Sequence, residues 1–301
     1  MSYNIILLDA DNTLFDFSKS ERKAIFSTYA ELNLTCSEEK LTEYKKINDE
    51  IWGLIERTSG DNTPLLISRF EKIFKLFGDK ADPKTANDIY RVKLSEGHDM
   101  LYGARKLLNS LYFSGKRMFL ITNGIIETQR KRLKEAHLNK FFEDVFISDE
   151  IGARKPSEGY FEYCAKKISG FDKKDAIVVG DSLRCDMLGG INFGVDTCWF
   201  NPYEKPNDLS LPVTYEVKTH KQVYQLFQTA RNNIKNLQTK RQTVLIGLWR
   251  NKKRISRTTL SNHFKLCGRN DIKNPQAPKS FQAVRKLFKN KNSHRLSGAK
   301  Q

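Results

Sequence analysis

The sequence predicts an α/β fold, a doubly wound parallel sheet with an inserted all-helical cap, on three observations. Short apolar runs, Ile5-Ile6-Leu7-Leu8, Met118-Phe119-Leu120-Ile121 and Ala176-Ile177-Val178-Val179, have the character of strands buried on both faces. Each run ends in polar residues: Asp9 and Asp11, then Thr122 and Asn123, then Asp181. Between the first and second runs, residues 16–96 carry helix signals and no strand pattern. Strands alternating with helices imply parallel crossovers, and open parallel sheets bind ligands at the carboxyl ends of their strands.

In chain order, Asp9-Ala10-Asp11-Asn12-Thr13-Leu14 comes first and sets two carboxylates one residue apart. Two acids so close would repel if both were buried and ionised, so they call for a cation between them or a shared proton. The alternative is that Asp11 or Asn12 only caps a following helix. Phe17-Ser18-Lys19-Ser20 is expected to hinge into a helical segment with Ala24, Ile25, Tyr29 and Leu32 at helical spacing. Ser37 ahead of Glu38-Glu39, Thr63-Pro64 and Asp82-Pro83 mark further helix starts. Leu66, Phe70, Ile73, Phe74 and Phe77 make one apolar face. Helical material leaving directly after the acidic pair is expected to lie over the strand ends as a lid; a bundle without that role is the plainer alternative.

After Thr122-Asn123-Gly124 the sequence predicts a basic amphipathic helix from Gln129 to His137 and a strand at Val145-Phe146-Ile147. A loop, Gly152-Ala153-Arg154-Lys155-Pro156, opens another helix, and the third buried strand ends in Gly180-Asp181-Ser182. Thr197-Cys198-Trp199-Phe200 is expected to be the last strand, followed by a closing amphipathic helix over 221–234. The loop Gly189-Gly190 to Gly194 lacks the spacing of a dinucleotide fingerprint. None of the five histidines falls in a nucleophile or metal motif, so each is expected at the surface or in the core.

Composition narrows the class. The net charge of +17 is unevenly held: residues 1–230 carry 33 Lys and Arg against 34 Asp and Glu, whereas 231–301 carry 19 against the single Asp271. The body is electrically balanced and the basic end, 235–301, is a separate tail. A disordered appendage or an out-of-frame extension, a nucleic-acid-binding tail and a membrane-surface or partner segment are the readings it allows. Five scattered cysteines without a Cys-x-x-Cys pair argue against a disulfide framework or a zinc site. With no basic leader before the short first apolar run and no membrane span, the expected location is cytoplasmic.

Taken together, Asp9-x-Asp11-x-Thr13-Leu14, the strand ending in Thr122, Lys155 before Pro156, and Gly180-Asp181 followed by Asp186 resemble the four motifs of the haloacid dehalogenase-like (HAD) phosphohydrolase superfamily. The second acid matters, because true dehalogenases of that superfamily lack it and its phosphatases have it. Asp9 through Phe17, Ile121-Thr122-Asn123-Gly124, Phe146-Ile147-Ser148, Gly180 through Leu183, Gly189-Gly190-Ile191-Asn192 and Thr197 through Pro202 further resemble the noncanonical pyrimidine 5'-nucleotidases. The resemblance implies a HAD-like core from 1–15 and 97–234 and a helical cap from 16–96.

It also implies a magnesium-dependent phosphomonoesterase acting on nucleoside 5'-monophosphates, pyrimidine ones, through an aspartyl-phosphate. Asp9 would be the nucleophile and Asp11 the general acid and base. Thr122, with the amides of Asn123 and Gly124, would hold the phosphoryl oxygens, and Lys155 would offset charge between Asp9 and the phosphate. Mg2+ would be bound by the Asp9 carboxylate, the Asp11 carbonyl and Asp181, with Asp186 behind them. Arg154, Arg184 and Cys185 depart from the pattern of that group and are expected to make the mouth of the site more electropositive. The alternatives are the same chemistry on another small phosphate, such as a sugar phosphate, and a nucleic-acid-binding protein acting through its tail.

Overall fold

The computed structural model of the chain describes residues 3–58 and 60–228. The basic tail, its nucleic-acid and membrane readings, and the second half of the expected closing helix lie outside the described residues.

Six parallel strands form one sheet, with β1 (Ile5–Asp9) at its middle. Four helices follow: α1 (Phe17–Glu31), α2 (Glu38–Ile55), α3 (Thr63–Phe77) and α4 (Pro83–Ser95). The chain then runs through α5 (Ala104–Phe113), β2 (Arg117–Thr122), α6 (Ile126–Glu135), β3 (Asp144–Ile147), the one-turn α7 (Ser148–Ile151) and α8 (Glu158–Lys167). It closes the sheet with β4 (Ala176–Gly180), a π-helical turn at Leu183–Met187, α9 (Leu188–Phe193), β5 (Asp196–Phe200) and β6 (Tyr215–Val217). Residues 220–228 are helical.

The strand order is β3-β2-β1-β4-β5-β6, so β1 lies between β2 and β4, with Asp9 opposite Ile121 and Leu8 opposite Val179. One face of the sheet packs Ile6, Leu8, Leu120 and Val179 against Leu107, Leu108, Leu111 and Leu133; the other packs Leu7, Ile121 and Val178 against Tyr160, Phe161 and Phe193. This is the doubly wound parallel architecture that the apolar runs predict. α1–α4 enclose an apolar centre of their own around Tyr44, Phe70, Ile73 and Tyr90, which makes them an inserted helical cap. Among the described residues no helix is long and apolar enough to cross a membrane.

Three local expectations change. Phe17-Ser18-Lys19-Ser20 is the first turn of α1 rather than a hinge, because the Asp16 side chain accepts from the Lys19 amide and caps it. Gly189 and Gly190 belong to a helix, not a loop: a β-carbon at Gly189 would stand 2.4 Å from the Phe161 ring, and one at Gly190 2.7 Å from Thr197, so closeness to α8 and the sheet selects glycine there. Phe200 does not end the last strand, since β6 pairs beyond β5 through Cys198–Tyr215 to Phe200–Val217.

Candidate active site

Because β1, β2 and β4 are neighbours, the polar residues at their carboxyl ends meet in one place. Asp9 is the last residue of β1, Thr122 the last of β2, and Asp181 follows Gly180 at the end of β4. A tight turn follows Asp9, in which the Leu14 and Phe15 amides donate to the Ala10 carbonyl at 2.8 and 2.9 Å. Asn12 takes a left-handed φ of 57° there, a conformation asparagine tolerates better than most side chains, and Asp11 is thereby presented at the mouth of the sheet. The helix-cap reading of Asp11 and Asn12 is set aside, since Asp16 caps α1.

The middle of the site is a buried ion triad. Lys155 Nζ donates to Asp9 Oδ1 and to Asp186 Oδ1, each at 2.7 Å, and to the Ile121 carbonyl at 3.2 Å. Its loop is held in place by Asn123, whose Oδ1 accepts from the Lys155 amide at 2.9 Å and whose Nδ2 donates to the Lys155 carbonyl at 2.8 Å. The Asn123 side chain therefore positions Lys155, and only its backbone amide is left for an anion. The Gly124 amide and Gln129 Nε2 both donate to Thr122 Oγ1, at 3.1 and 2.7 Å, which fills the lone pairs of the hydroxyl and leaves its hydrogen to donate outward.

Burial and charge oppose one another in this triad. Burial pushes the Asp9 carboxyl up to about 7; the Lys155 ammonium pulls it down, and Asp186 and Asp11 add to the rise. Asp181 is also held well above the usual carboxylate range, first by burial and then by the charges of Asp9 and Asp186. Burial works against the charge of Lys155 too, but Asp186 and Asp9 outweigh it and keep the amine protonated.

One ammonium among three carboxylates leaves the cluster short of positive charge. One oxygen each from Asp9, Asp181 and Asp186 lies within 4.8 Å of the others, an all-oxygen set that suits a hard divalent cation such as Mg2+. Asp186 is already engaged through Lys155 and, at 3.1 Å, through the Ser182 amide, so it stands behind the other two as a support.

Sequence reasoning missed two further residues. Arg132 and Gln129, three apart on α6, hold the Asp11 carboxylate between them: Arg132 Nη1 donates to Oδ1 and Gln129 Nε2 to Oδ2 at 2.7 Å. Both side chains are buried in a helix whose composition suggests a solvated basic surface. The signal was present in the spacing, because Gln129, Arg132, Leu133 and Ala136 fall on one helical face.

Two of the residues that depart from the group's pattern also bridge core and cap. Arg154 Nη1 donates to the Ile55 carbonyl at the end of α2 at 2.8 Å, and the Cys185 thiol donates to Glu56 Oε1 at 2.9 Å, so both residues join core to cap. Ile125 packs against Ile51, Ile55 and Leu66 at the same junction. Arg184 is exposed. Of the histidines, His220 is a buried tie between the Thr13 and Tyr102 carbonyls, at 2.7 and 2.9 Å.

Known proteins share this arrangement of fold and sequence. The sequence model of the family described as haloacid dehalogenase-like hydrolase matches residues 6–200. The HAD hydrolase YfnB of Bacillus subtilis (strain 168) is 34% identical over 224 residues, which are 74% of this chain and 95% of that protein. Pyrimidine 5'-nucleotidase PynA of Streptococcus pneumoniae (strain ATCC BAA-255 / R6) is 32% identical, covering 73% of this chain and 93% of its own length. Pyrimidine 5'-nucleotidase YjjG of Escherichia coli (strain K12) is 30% identical, covering 75% and 98%. The crystal structure of YfnB bound to magnesium matches with a TM-score of 0.72 at 33% identity, over 75% of this chain and 99% of that one. Alike in sequence and fold over nearly the whole length of these relatives, the chain belongs to the haloacid dehalogenase-like hydrolase family, as one of its phosphatases.

Proposed function

We propose that the chain is a magnesium-dependent 5'-nucleotidase that hydrolyses pyrimidine nucleoside 5'-monophosphates through an aspartyl-phosphate on Asp9. The observation that carries this reading is the buried triad: Asp9 shares the Lys155 ammonium with Asp186 at 2.7 Å on either side, beside Asp181 and two residues from Asp11. The pyrimidine nucleotide as substrate is supported by two relatives of that description, at 30% and 32% identity.

In this reading Asp9 attacks the phosphorus in line with the nucleoside 5'-oxygen, and its bond to phosphorus forms as the ester bond breaks. Asp11 gives its proton to the departing oxygen, then takes one from the water that hydrolyses the aspartyl-phosphate. The Thr122 hydroxyl donates its free hydrogen to a phosphoryl oxygen, joined by the Asn123 amide and, once it leaves Thr122 Oγ1, by the Gly124 amide, while Lys155 screens Asp9 from the incoming dianion. The Asp9 and Asp181 carboxylates and the Asp11 carbonyl would hold Mg2+, backed by Asp186. When bound, the ion supplies positive charge against the phosphoryl oxygens and the crowded carboxylates.

Release of phosphate from a generic aryl phosphate with and without Mg2+, wild type beside Asp9→Asn, tests the chemistry. Wild type is expected to be active with Mg2+ and silent in chelator, and Asp9→Asn to lose about a thousandfold or more. Equal rates for the two proteins would rule out Asp9 as the nucleophile. A panel of nucleoside 5'-monophosphates and sugar phosphates tests the substrate: the highest kcat/KM is expected on the pyrimidine nucleotides, and a higher value on a sugar phosphate overturns that assignment.

A further inference from the structure

We infer that Arg132, with Gln129, is a positioning residue for proton transfer: it anchors the Asp11 carboxylate and ties it to the connection through which the cap returns to the core. The inference rests on the reading of Asp11 as general acid given above.

Both Asp11 oxygens are held by α6. Oδ1 accepts from Arg132 Nη1 and Oδ2 from Gln129 Nε2 at 2.7 Å, one donor to each oxygen, so the carboxylate is held in orientation while each oxygen keeps a second lone-pair site for a leaving group. The two donors are themselves joined, Arg132 Nη1 to Gln129 Oε1 at 3.0 Å, and Gln129 Nε2 also holds the Thr122 hydroxyl at 2.7 Å. The general acid and the phosphoryl-binding hydroxyl are thus set by one glutamine. Gly124 leaves room for it, since a β-carbon there would stand 2.5 Å from Gln129 Nε2.

Arg132 is the fixed point of the group. Its side chain is 1% exposed, its Cζ lies 4.5 Å above the centre of the Phe15 ring, and its Nε donates to the Gly97 carbonyl at 2.6 Å. Gly97 lies just after α4, and a β-carbon there would be 2.5 Å from Ser20 Cβ on α1, so both connections between cap and core crowd together at this residue. A rigid guanidinium fork that grips Gly97 with one nitrogen and Asp11 with another transmits the position of the cap connection to the acid. Arg132 Nη2 is buried and makes no hydrogen bond, which leaves a donor for an Asp11 oxygen that turns.

Leaving-group dependence separates this role from a structural one. A nucleoside 5'-monophosphate has a poor leaving group that needs a proton, whereas an activated aryl phosphate does not. For Arg132→Met we expect kcat on the nucleotide to fall about tenfold or more with KM changed by less than about threefold, and the loss on the aryl ester to be several times smaller. Should Arg132→Met fail to fold, Arg132→Lys, which keeps the charge and the stem but loses the guanidinium fork, carries the same comparison. Equal losses on both esters, or none on the nucleotide, overturn the inference. Asp11→Asn measured alongside keeps the two readings apart. If Asp11→Asn discriminates between the esters and the Arg132 variant does not, only the positioning role falls; if Asp11→Asn loses equally on both, the assignment of Asp11 falls and this inference with it.

Discussion

A β-carbon built on Gly180, the last residue of β4, would stand 2.2 Å from Asp186 Oδ2 and 2.3 Å from its Cγ. Asp186 therefore reaches Lys155 only across a backbone without a side chain. Gly180→Ala is expected to push Asp186 off Lys155, lowering kcat by about tenfold and stability by about 1–3 kcal/mol, the usual cost of overfilling a packed interior. Steady-state rates and a urea midpoint check this, and wild-type values for both would show that Asp186 has slack to move. At this scale the sequence disclosed the residues that its own order brings to a strand end: Asp9, Thr122 and Asp181 each close an apolar run. Gln129 and Arg132 stayed hidden because their partner Asp11 lies 118 and 121 residues away, a pairing that exists only once β1 and β2 are side by side. The Asn123 side chain had no readable role for a related reason, since it pairs with the backbone of Lys155, 32 residues on.

The cap helices are joined by polar side chains as well as apolar ones. Asn48 Nδ2 of α2 donates to Glu21 Oε1 of α1 at 3.0 Å, and Arg69 of α3 donates at 2.9 Å to Asn48 Oδ1 and to Asn87 Oδ1 of α4. Each helix contributes one residue, so the relative rotation of all four is specified by hydrogen bonds that would be costly to leave unmade in a dry interior. Burial lifts Glu21 from its ordinary 4.5 to about 7; Lys45 and Arg69 and the Asn48 hydrogen bond pull it down, and Asp49 adds to the rise. A carboxyl raised on folding favours the folded state while protonated, below pH 4.5, and that contribution is lost as pH climbs through 7. Glu21→Gln keeps an acceptor for Asn48 and removes the charge. Its unfolding free energy from urea titration should match wild type near pH 4.5 and exceed it at pH 8, by at most about 3 kcal/mol. A variant weaker than wild type at pH 8 would mean that the charge itself is needed. Of the elements, the long helices and buried strands were legible from spacing, while β6 was not: three residues with Glu216 exposed at their centre carry too little pattern to be told from a loop.

For the molecule as a whole, the loudest feature of the composition says least about the chemistry. The charge of +18 over 231–301 lies beyond the span of the family match, 6–200, and the site is built from residues 9–186, in a part of the chain whose charges nearly cancel. Removing residues 238–301 is therefore expected to leave kcat/KM on a small phosphate ester within about twofold of the full chain, a difference far below one catalytic contact. A collapse of activity on truncation would assign the tail a part in the site.

The two connections to the cap run side by side. The Asp16 amide donates to the Asp99 carbonyl and the Leu101 amide to the Leu14 carbonyl, each at 2.9 Å, with Phe15 and Met100 bridged antiparallel between them. The helical insert thus leaves and re-enters the sheet through one hydrogen-bonded stalk, with its two ends adjacent. Such a segment is a cassette. A cap of different shape and length can be exchanged at the stalk without breaking a pair among the six strands of the sheet, provided that it keeps the Gly97 carbonyl in reach of Arg132.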